Sequence, residues 1–442
     1  MIFNVEMETI SREKLRELQL ERLKETVKRV YERVPFHKQA FDAAGVKPED
    51  IRSLDDIQKL PFMKKTHLRE NYPFNLFAVP MNEVIRIHGS SGTKGKPTVV
   101  GYTKRDLENW AELVARCICL AGGRPGDIFH NAYGYGLFTG GLGLHGGIER
   151  LGAVAVPVSG GNTSRQITLI QDFKPRGISA TPSYVLNIVE EMKKQGIDPR
   201  KTSLEYGIFG AEPWSEEMRA QLESELNIKA VDIYGLSEVM GPGVSCECHE
   251  AQDGLHINED HFYVEVVDPN TGEVLPYGAE GELVFTSLTK EAFPVVRYRT
   301  GDIASLNPEP CKCGRTTIRM SRIKGRVDDM LIIRGVNVFP TEIESVLLTF
   351  QQLAPHYQVV IEKDGPLDLF EVHCELTPEY ARILENNANE TLSSLVKQIS
   401  HAIKDALGVS VVLRVLPPNS LPRSEGKAMR ILDNRNKTQV AK

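Results

Sequence analysis

A segment rich in glycine and hydroxyl residues has the composition of a loop that binds phosphate. It reads Gly89-Ser-Ser-Gly-Thr-Lys-Gly-Lys-Pro97 and follows a short apolar run. Glycine lets the backbone approach a ligand, and successive N–H groups can surround phosphate oxygens. The Walker spacing is absent, because five residues separate Gly89 from Gly95 and Pro97 stands where Walker loops have Ser or Thr. The segment is therefore predicted to be a phosphate loop of another type, with a flexible turn as the alternative.

Two later segments end in a carboxylate that could hold other parts of a nucleotide. Tyr234-Gly-Leu-Ser-Glu238 follows an apolar run, and an acid at the carboxyl end of a strand is well placed to hold Mg²⁺ beside phosphates. Tyr298-Arg-Thr-Gly-Asp302 is predicted to be a turn whose aspartate could accept both hydroxyls of a ribose. Taken one at a time, a solvated loop acid and an Asx turn explain the two motifs as well.

Charged segments occur near a predicted domain boundary and near the C-terminus. In Gly325-Arg-Val-Asp-Asp329, Arg326 could reach a ribose or a phosphate, and Asp328 could absorb the dihedral change of a hinge. Pro422-Arg-Ser-Glu-Gly-Lys427 places a lysine on a loop after the last predicted strand. Considered alone, a charged linker and a solvated lysine are sufficient explanations.

A third type of segment, Asn131-Ala-Tyr-Gly-Tyr-Gly-Leu-Phe-Thr-Gly-Gly-Leu-Gly143, combines aromatic residues with glycine. Aromatic side chains could form the walls of an apolar slot, and glycine would leave room for a flat ligand. A tight connection between a strand and a helix is the alternative explanation.

Cys246/Cys248 and Cys311/Cys313, among the seven cysteines, are Cys-x-Cys pairs that could bind a metal ion. Two thiolates on a tight turn with two ligands elsewhere are typical of structural zinc, in which four protein ligands leave no open position. We predict a zinc site of Cys248, His256, Cys311 and Cys313, with Cys246 as the main rival to His256. Four unrelated reduced thiols are the alternative. The remaining cysteines, which lie in apolar runs and are predicted to be core residues, are Cys117, Cys119 and Cys374.

The composition is that of a globular protein. The chain has 442 residues, of which 41% are hydrophobic and 25% charged, with a net charge of -6. This charge disfavours a general binder of nucleic acid or of anionic membranes. Apolar runs are shorter than the roughly 18 residues of a membrane span, and residues 1–11 lack the apolar core of a signal peptide. Together with the odd number of cysteines, these features predict a cytosolic protein that binds no membrane.

The elements that must position these residues follow from hydrophobic periodicity. Residues 11–45 are predicted to form an amphipathic helix. Strand–helix alternation over residues 80–240 predicts an α/β domain with largely parallel sheets. Strands over 262–267, 281–285 and 294–298, joined by turn signals, predict antiparallel structure. After about residue 328 a strand over 330–334, a hairpin over 357–376 around Asp364-Gly365, and a helix over 392–407 predict a smaller α+β unit.

The fold class predicted is therefore α/β. A large N-terminal domain, residues 1–327, has parallel-rich sheets flanked by helices and a β subdomain. A small, mobile α+β domain follows over residues 328–442.

In their order along the chain, the motifs resemble those of the adenylate-forming superfamily of acyl-CoA synthetases and ligases. The matching motifs are Ser-Ser-Gly-Thr-x-Gly-x-Pro, Tyr-Gly-Leu-Ser-Glu, Tyr-Arg-Thr-Gly-Asp, Gly-Arg-x-Asp-Asp and Pro-x-x-x-x-Gly-Lys. The closer resemblance is to the phenylacetate–coenzyme A ligases. It rests on segments 135–143, 210–213, 260–262, 285–290 and 334–340 and covers almost the whole chain.

The resemblance implies a two-step reaction in which ATP activates a carboxylic acid as an acyl-adenylate and the thiol of coenzyme A then displaces AMP. A rotating C-terminal domain would separate the two steps. The resemblance implies these nucleotide contacts: Ser90, Ser91, Gly92, Thr93 and Lys94 for the β- and γ-phosphates, Gly210, Ala211, Glu212 and Tyr234 near adenine, and Asp302 and Arg326 for the ribose. The other implied roles are Glu238 for Mg²⁺, Lys427 for adenylation, Asp328 as hinge, and Tyr135, Gly136, Phe138 and Pro213 for the aryl group.

Phenylacetate is the acid that the resemblance favours, and a hydroxylated analogue, indoleacetate and benzoate stay open. The resemblance also suggests a homodimer. An adenylyltransferase of the same fold that forms no thioester is the alternative function. A zinc-supported nucleic-acid module is disfavoured by the net charge of -6, and a P-loop NTPase is disfavoured by the Walker spacing.

Overall fold

The computed structural model describes residues 1–90, 97–327, 331–333, 336–364, 367–385 and 388–434. Some predicted features lie outside these ranges, namely Ser91, Gly92, Thr93, Lys94, the hinge residue Asp328, Gly365, and both ends of the strand predicted over 330–334. The α/β class is confirmed, because helices alternate with mixed sheets along the chain. Within these ranges, no helix is both long and apolar enough to cross a membrane.

Helices dominate the N-terminal segment. They are α1 (Val5–Glu8), α2 (Arg12–Arg33), α3 (Pro35–Ala43) and α4 (Lys65–Glu70), with 3₁₀ turns at Pro48–Asp50, Leu54–Lys59 and Met81–Glu83. The single helix predicted over 11–45 is wrong, since the chain breaks at Val34, which is extended with φ -118° and ψ 105°. Pro35 explains the break, because proline lacks an N–H and disfavours helical backbone in the residue before it.

The middle of the chain contains most of the regular structure. Its strands are β1 (Arg86–Ser90), β2 (Thr98–Tyr102), β3 (Ile128–Asn131), β4 (Val154–Pro157), β5 (Gly177–Ala180), β6 (Tyr206–Gly210), β7 (Lys229–Leu236), β8 (Gly241–Glu247), β9 (Leu255–Ile257), β10 (Phe262–Val267), β11 (Gly281–Ser287), β12 (Tyr298–Ala304), β13 (Leu306–Asn307), β14 (Arg319–Met320) and β15 (Gly325–Arg326). Its helices are α5 (Lys104–Leu120), α6 (Gly140–Leu151), α7 (Thr163–Phe173), α8 (Pro182–Lys194) and α9 (Glu216–Leu226), with a 3₁₀ turn at Pro199–Lys201.

A large sheet has the strand order β13-β14-β9-β8-β7-β6-β5-β3-β4. Strands β7, β6, β5, β3 and β4 run parallel, as the strand–helix alternation predicts, and β8, β9, β13 and β14 extend the sheet antiparallel. The carboxyl ends of the parallel strands therefore share one edge, where ligands bind in open α/β sheets. The β1–β2 hairpin is separate, with Ser90 directly opposite Thr98.

A second sheet, in the order β10-β11-β12-β15, is antiparallel as predicted, but one of its strands lies elsewhere than expected. The strand predicted over 294–298 is wrong, because β12 begins only at Tyr298. Arg297 interrupts extended structure: its φ is 46°, and its guanidinium donates to Glu265 at 2.8 and 3.0 Å. The turn predicted to carry Asp302 is also wrong, since Asp302 lies inside β12 directly opposite Arg326.

The C-terminal part has its own buried apolar cluster. Its elements are β16 (Leu331–Ile333), β17 (Val336–Val338), α10 (Pro340–Leu347), β18 (Leu353–Asp364), β19 (Leu367–Leu376), α11 (Pro378–Glu385), α12 (Ala388–Leu407), β20 (Val412–Leu416) and β21 (Ile431–Asp433). The predicted hairpin is confirmed as β18 and β19. Strand β21 was not predicted; it runs parallel to β18, with Ile431 opposite Val359, and so fixes the far end of the loop that carries Lys427.

Candidate active site

Glu238 lies at the carboxyl edge of the large sheet. It follows β7 in the turn before β8, and its side chain is buried, with 6% exposed. The turn is tied to the β1–β2 hairpin, because the Tyr102 hydroxyl donates to the carbonyl of Met240 at 2.7 Å. Glu238 is therefore a desolvated carboxylate beside the hairpin, and a solvated loop acid is excluded.

Asp302 is held between a phenol and a guanidinium. The Tyr234 hydroxyl donates to Oδ2 at 2.7 Å, and Nε of Arg326 lies 3.7 Å from Oδ1. Burial raises the pKa of Tyr234 well above its ordinary value, so the phenol keeps its proton and remains a donor. These contacts fix the orientation of the Asp302 carboxylate, which is buried like that of Glu238. Asp302 and Glu238 both belong to the charged group that surrounds Lys427.

Lys427 approaches this group from the C-terminal part of the chain. It lies in the loop between β20 and β21 and is an exposed residue, with Nζ 5.3 Å from the ring centroid of Phe138. Protein crowding around the ammonium lowers its pKa from the ordinary lysine value, chiefly through desolvation. The charged groups that act on it are Glu212, Arg326, Asp302 and Glu238. The structure thus brings four of the predicted site residues within electrostatic reach of Lys427.

The segment Gly210-Ala-Glu-Pro213 begins with the last residue of β6, at the same sheet edge. Ala211 has a left-handed backbone with φ 69°, which is uncommon for a residue with a side chain. The Glu212 carboxylate accepts N–H bonds from Ser183 at 2.9 Å and from Ala428 at 2.8 Å. Its side chain is therefore engaged with the lysine loop as well as with α8.

The aromatic segment connects β3 to α6, so the predicted connection between a strand and a helix is present, and the apolar slot stays a prediction. The Tyr135 hydroxyl accepts from Nδ2 of Asn131 at 2.8 Å and lies 3.2 Å from Nδ1 of His145. Burial raises the pKa of Tyr135 to about 12. His145 was not predicted, because no local motif marks it and only the packing of α6 brings its ring to Tyr135.

Gly136 and Phe138 belong to the same loop, which also contacts the β1–β2 hairpin. The carbonyl of Leu137 accepts the N–H of Gly89 at 2.9 Å and lies 3.0 Å from Nδ1 of His88. The loop between β3 and α6 is therefore hydrogen-bonded directly to strand β1.

The sequence analysis also did not identify Lys290, a buried lysine that lies close to Tyr102 of the β1–β2 hairpin. Its Nζ lies 4.2 Å from the ring centroid of Tyr102 and has no hydrogen-bond partner among the residues that the structure describes. Burial lowers the pKa of Lys290 to about 8, although the charges of Asp106 and Glu238 act in the opposite direction. Lys290 therefore contributes positive charge near Glu238.

The predicted zinc ligands form a compact cluster. One ligand atom from each of Cys248, His256, Cys311 and Cys313 lies within 4.8 Å of all the others. The Sγ atoms of Cys248 and Cys311 are 3.7 Å apart, and Sγ of Cys313 is 3.4 Å from Nε2 of His256. Sulfur ligands at about 2.3 Å from a tetrahedral ion stand about 3.8 Å apart, whereas a disulfide requires about 2.05 Å. The spacing fits a shared metal ion.

The positions of the strands explain why His256, and not Cys246, is the fourth member of this cluster. Cys246 lies inside β8 with its thiol 3.8 Å from the carbonyl of Cys117 in α5, whereas Cys248 lies beyond the end of the strand. Nδ1 of His256 is 3.0 Å from the Thr317 hydroxyl, which orients the ring and leaves Nε2 toward the thiols. Cys117, Cys119 and Cys374 are buried, as predicted.

These features define an adenylate-forming fold. A profile of the AMP-binding enzyme family matches residues 4–289, and a profile of the AMP-binding enzyme C-terminal domain matches residues 335–435. The chain belongs to this family. It is similar to a phenylacetate-coenzyme A ligase of Thermus thermophilus, with 56% identity over 98% of this chain and 100% of that protein. Both resemblances drawn from the motifs are confirmed.

Two solved structures of one related enzyme differ in how closely they match the structure of this chain. A 2-hydroxyisobutyryl-CoA ligase in the postadenylation state with 2-HIB-AMP has a TM-score of 0.92, at 29% identity over 98% of this chain and 92% of that chain. The same enzyme with 2-HIB-AMP and CoA in the thioesterification state has a TM-score of 0.72 at the same identity and coverage. Both structures are of the same enzyme, so the difference in TM-score reflects how the parts of that enzyme are arranged in its two states.

Proposed function

We propose that this chain joins an aryl-acetic acid, with phenylacetate preferred, to coenzyme A at the expense of ATP. In the first step a carboxylate oxygen attacks the α-phosphorus, and the bond to pyrophosphate breaks. In the second step the thiol sulfur attacks the acyl carbon, the acyl–phosphate bond breaks, and AMP leaves with the electron pair.

The observation that carries this proposal is the position of Lys427. An ammonium reaches into a cleft beside Glu238, Asp302 and Arg326, which come from the other part of the chain. Charge on the α-phosphate grows as the adenylate forms, and a preorganised cation that meets this charge accelerates the step. The 56% identity to a phenylacetate-coenzyme A ligase over nearly the full length supports the choice of substrate class.

We assign the nucleotide contacts as the motifs imply. Asp302, oriented by Tyr234 and Arg326, would accept the ribose hydroxyls. Gly210, Ala211 and Glu212 would border adenine through their backbone, since the Glu212 carboxylate is engaged elsewhere. The phosphate contacts assigned to Ser90, Ser91, Gly92, Thr93 and Lys94 stay a prediction, as only Ser90 lies within the described ranges.

Magnesium fits the same site. Mg²⁺ prefers carboxylate and phosphate oxygens, and Glu238 supplies a carboxylate that is 6% exposed at the edge of the sheet. We assign Glu238 as its protein ligand. When bound, the ion would neutralise phosphate charge, and Glu238 would hold it against the hairpin through the turn that ends at Met240.

The acid would enter the slot formed by Tyr135, Gly136 and Phe138, with Pro213 near its rim. The ring of Phe138 lies 5.3 Å from the Lys427 ammonium. An aryl group against this wall would place its carboxylate toward Lys427. The hydroxyl of Tyr135, fixed by Asn131 and His145, offers a polar group to a ring substituent.

We propose that the two parts are domains with a boundary at residues 327/328 and that the structure corresponds to the adenylating arrangement. The higher TM-score against the postadenylation state of the related ligase, 0.92 against 0.72, supports this assignment. Asp328 as the hinge stays a prediction, because it lies outside the described residues.

We further propose that Cys248, His256, Cys311 and Cys313 hold one structural Zn²⁺. Their 4.8 Å spread and the thiol–imidazole donor set support a closed tetrahedral site. The cluster lies next to contacts that hold the N-terminus, because Arg315 pairs with Glu8 at 2.5 Å and the N–H of Thr316 donates to the carbonyl of Glu8 at 3.1 Å. The ion would fix this loop against α1.

The proposal is tested by measuring AMP formation across a panel of aryl acids, with and without coenzyme A. Release of AMP that requires both phenylacetate and coenzyme A, together with thioester detected by mass spectrometry, is expected. Adenylate formation without thioester would instead support the adenylyltransferase alternative, which nothing in the structure favours. A homodimer and a cytosolic location stay predictions.

A further inference from the structure

The Glu212 carboxylate bridges two parts of the chain that are distant in sequence. Oε1 accepts the N–H of Ser183, in the first turn of α8, at 2.9 Å, and also contacts the Ser183 hydroxyl. Oε2 accepts the N–H of Ala428 at 2.8 Å. Ala428 directly follows Lys427, so one carboxylate connects the parallel sheet region to the lysine loop.

Other groups of the N-terminal part also contact the loop that carries Lys427. The Thr181 hydroxyl donates to the carbonyl of Gly426 at 2.7 Å. A Cβ placed on Gly160 would lie 3.1 Å from the carbonyl oxygen of Glu425, so the two backbones approach closely. The N-terminal part therefore holds the loop on both sides of Lys427, through Thr181 at Gly426 and through Glu212 at Ala428.

Glu212 is also the leading anionic neighbour of Lys427. Its charge stabilises the ammonium more than those of Asp302 and Glu238 do, and Arg326 acts in the opposite direction. Hydrogen bonds in which one partner is ionised are stronger than neutral ones. Glu212 therefore acts on Lys427 in two ways, through the backbone of Ala428 and through its charge.

We propose that Glu212 is a positioning residue that fastens the Lys427 loop to the N-terminal part during adenylation and releases it for thioester formation. This inference rests on the proposed two-step function. It differs from a role in adenine recognition, because both carboxylate oxygens are already bonded to Ser183 and Ala428.

The test measures the two half-reactions separately in Glu212→Ala and Glu212→Gln. Adenylation is followed by acid-dependent ATP–pyrophosphate exchange, and thioester formation starts from pre-made acyl-adenylate and coenzyme A. In Glu212→Ala we expect adenylation to fall roughly tenfold to hundredfold, as for the loss of a charged hydrogen bond beside a reacting centre. Thioester formation should change less than about twofold. Glu212→Gln should recover part of the loss, because its amide oxygen can still accept one N–H.

A pH profile separates positioning from simple destabilisation. In Glu212→Gln the alkaline limb of adenylation should move to lower pH, because Lys427 loses its leading anion while Glu238, Asp302, Arg326 and the Phe138 ring still face it. The matched control is Glu205→Gln, which removes an exposed carboxylate that pairs with Arg176 at 2.6 Å. We expect no change in either half-reaction for this control.

Equal loss of both half-reactions in Glu212→Gln, or unchanged adenylation in Glu212→Ala, would overturn the inference. Retained thioester formation shows at the same time that a variant is folded. Failure of the proposed function is distinguishable, because the unmodified protein would then form no AMP with any acid in the panel.

Discussion

The proposed nucleotide site and the cysteine cluster both collect side chains from distant positions, but they rely on different parts of the fold. The cluster takes His256 from β9, Cys248 from the end of β8, and two cysteines from the connection between β13 and β14. All four strands belong to one sheet. The nucleotide site takes Glu238 from that sheet and Asp302 from a second sheet, and it is completed by Lys427 from the C-terminal part.

Several contacts that hold the C-terminal part near Lys427 against the rest of the chain are polar. Besides those of Glu212 and Gly426, Glu190 pairs with Arg423 at 3.0 Å, and the N–H of Ser215 donates to Glu344 at 3.0 Å. Polar interfaces between parts of a chain separate more readily than apolar cores. Separable polar contacts suit a residue that the proposal places in only one step, whereas the paired strands around the cysteine cluster suit the proposed structural centre.

The largest expected effect is that of Lys427→Ala. Its ammonium meets charge that develops only in the transition state, so adenylation should fall about 100-fold or more, by analogy with loss of one oxyanion donor. Thioester formation from pre-made acyl-adenylate should persist, because Lys427 is not needed for it. Single-turnover assays of each half-reaction check this. A parallel fall in both half-reactions would show that Lys427 is needed in both steps and stays in the site throughout.

Glu238→Gln should have an intermediate effect. The substitution keeps the shape of the side chain but removes the charge, so the apparent Mg²⁺ requirement should rise about tenfold and adenylation should slow. A Mg²⁺ titration of pyrophosphate exchange measures it. Glu280→Gln, which removes an exposed carboxylate 3.3 Å from Lys324, is the control. An unchanged Mg²⁺ titration in Glu238→Gln would remove this carboxylate from the metal site.

Alkaline pH should affect the two half-reactions unequally, by a few-fold. Desolvation lowers the pKa of Lys427, so the active ammonium is lost at a lower pH than in an ordinary lysine. Adenylation should therefore decline on the alkaline side, and thioester formation should lack that limb. Lys427→Arg should abolish the limb at a lower overall rate, since guanidinium does not titrate there. Identical limbs in both half-reactions would contradict the assignment.

The smallest effect on catalysis is expected in the cysteine cluster. Cys248→Ser should lower bound zinc from about one ion per chain to nearly none, while adenylation at low temperature changes less than about twofold. The apparent midpoint of thermal unfolding should fall by roughly 5 °C or more. Cys246→Ser, two residues away but facing Cys117, is the matched control and should keep its zinc. Full zinc in Cys248→Ser, measured by elemental analysis, would refute the site.

Local signals in the sequence were sufficient for much of this structure. Strand–helix alternation predicted the parallel strands of the large sheet, and the two segments on either side of Asp364-Gly365 predicted the β18–β19 hairpin. The strand predicted over 294–298 failed because Arg297 adopts a left-handed backbone to reach Glu265, a partner distant in sequence. Propensity describes local preference, and such a tertiary contact overrides it.

By itself, the sequence determined the family, the order of the nucleotide motifs and three members of the cysteine cluster, and it left His256 and Cys246 as rivals for the fourth position. These follow from residue types at fixed spacing, which the chain carries whatever its fold. Only the tertiary structure decided that Asp302 lies in a strand opposite Arg326, that His145 supports Tyr135, and that Glu212 holds Ala428. Each of these depends on which distant backbones pack together, and no local pattern encodes that proximity.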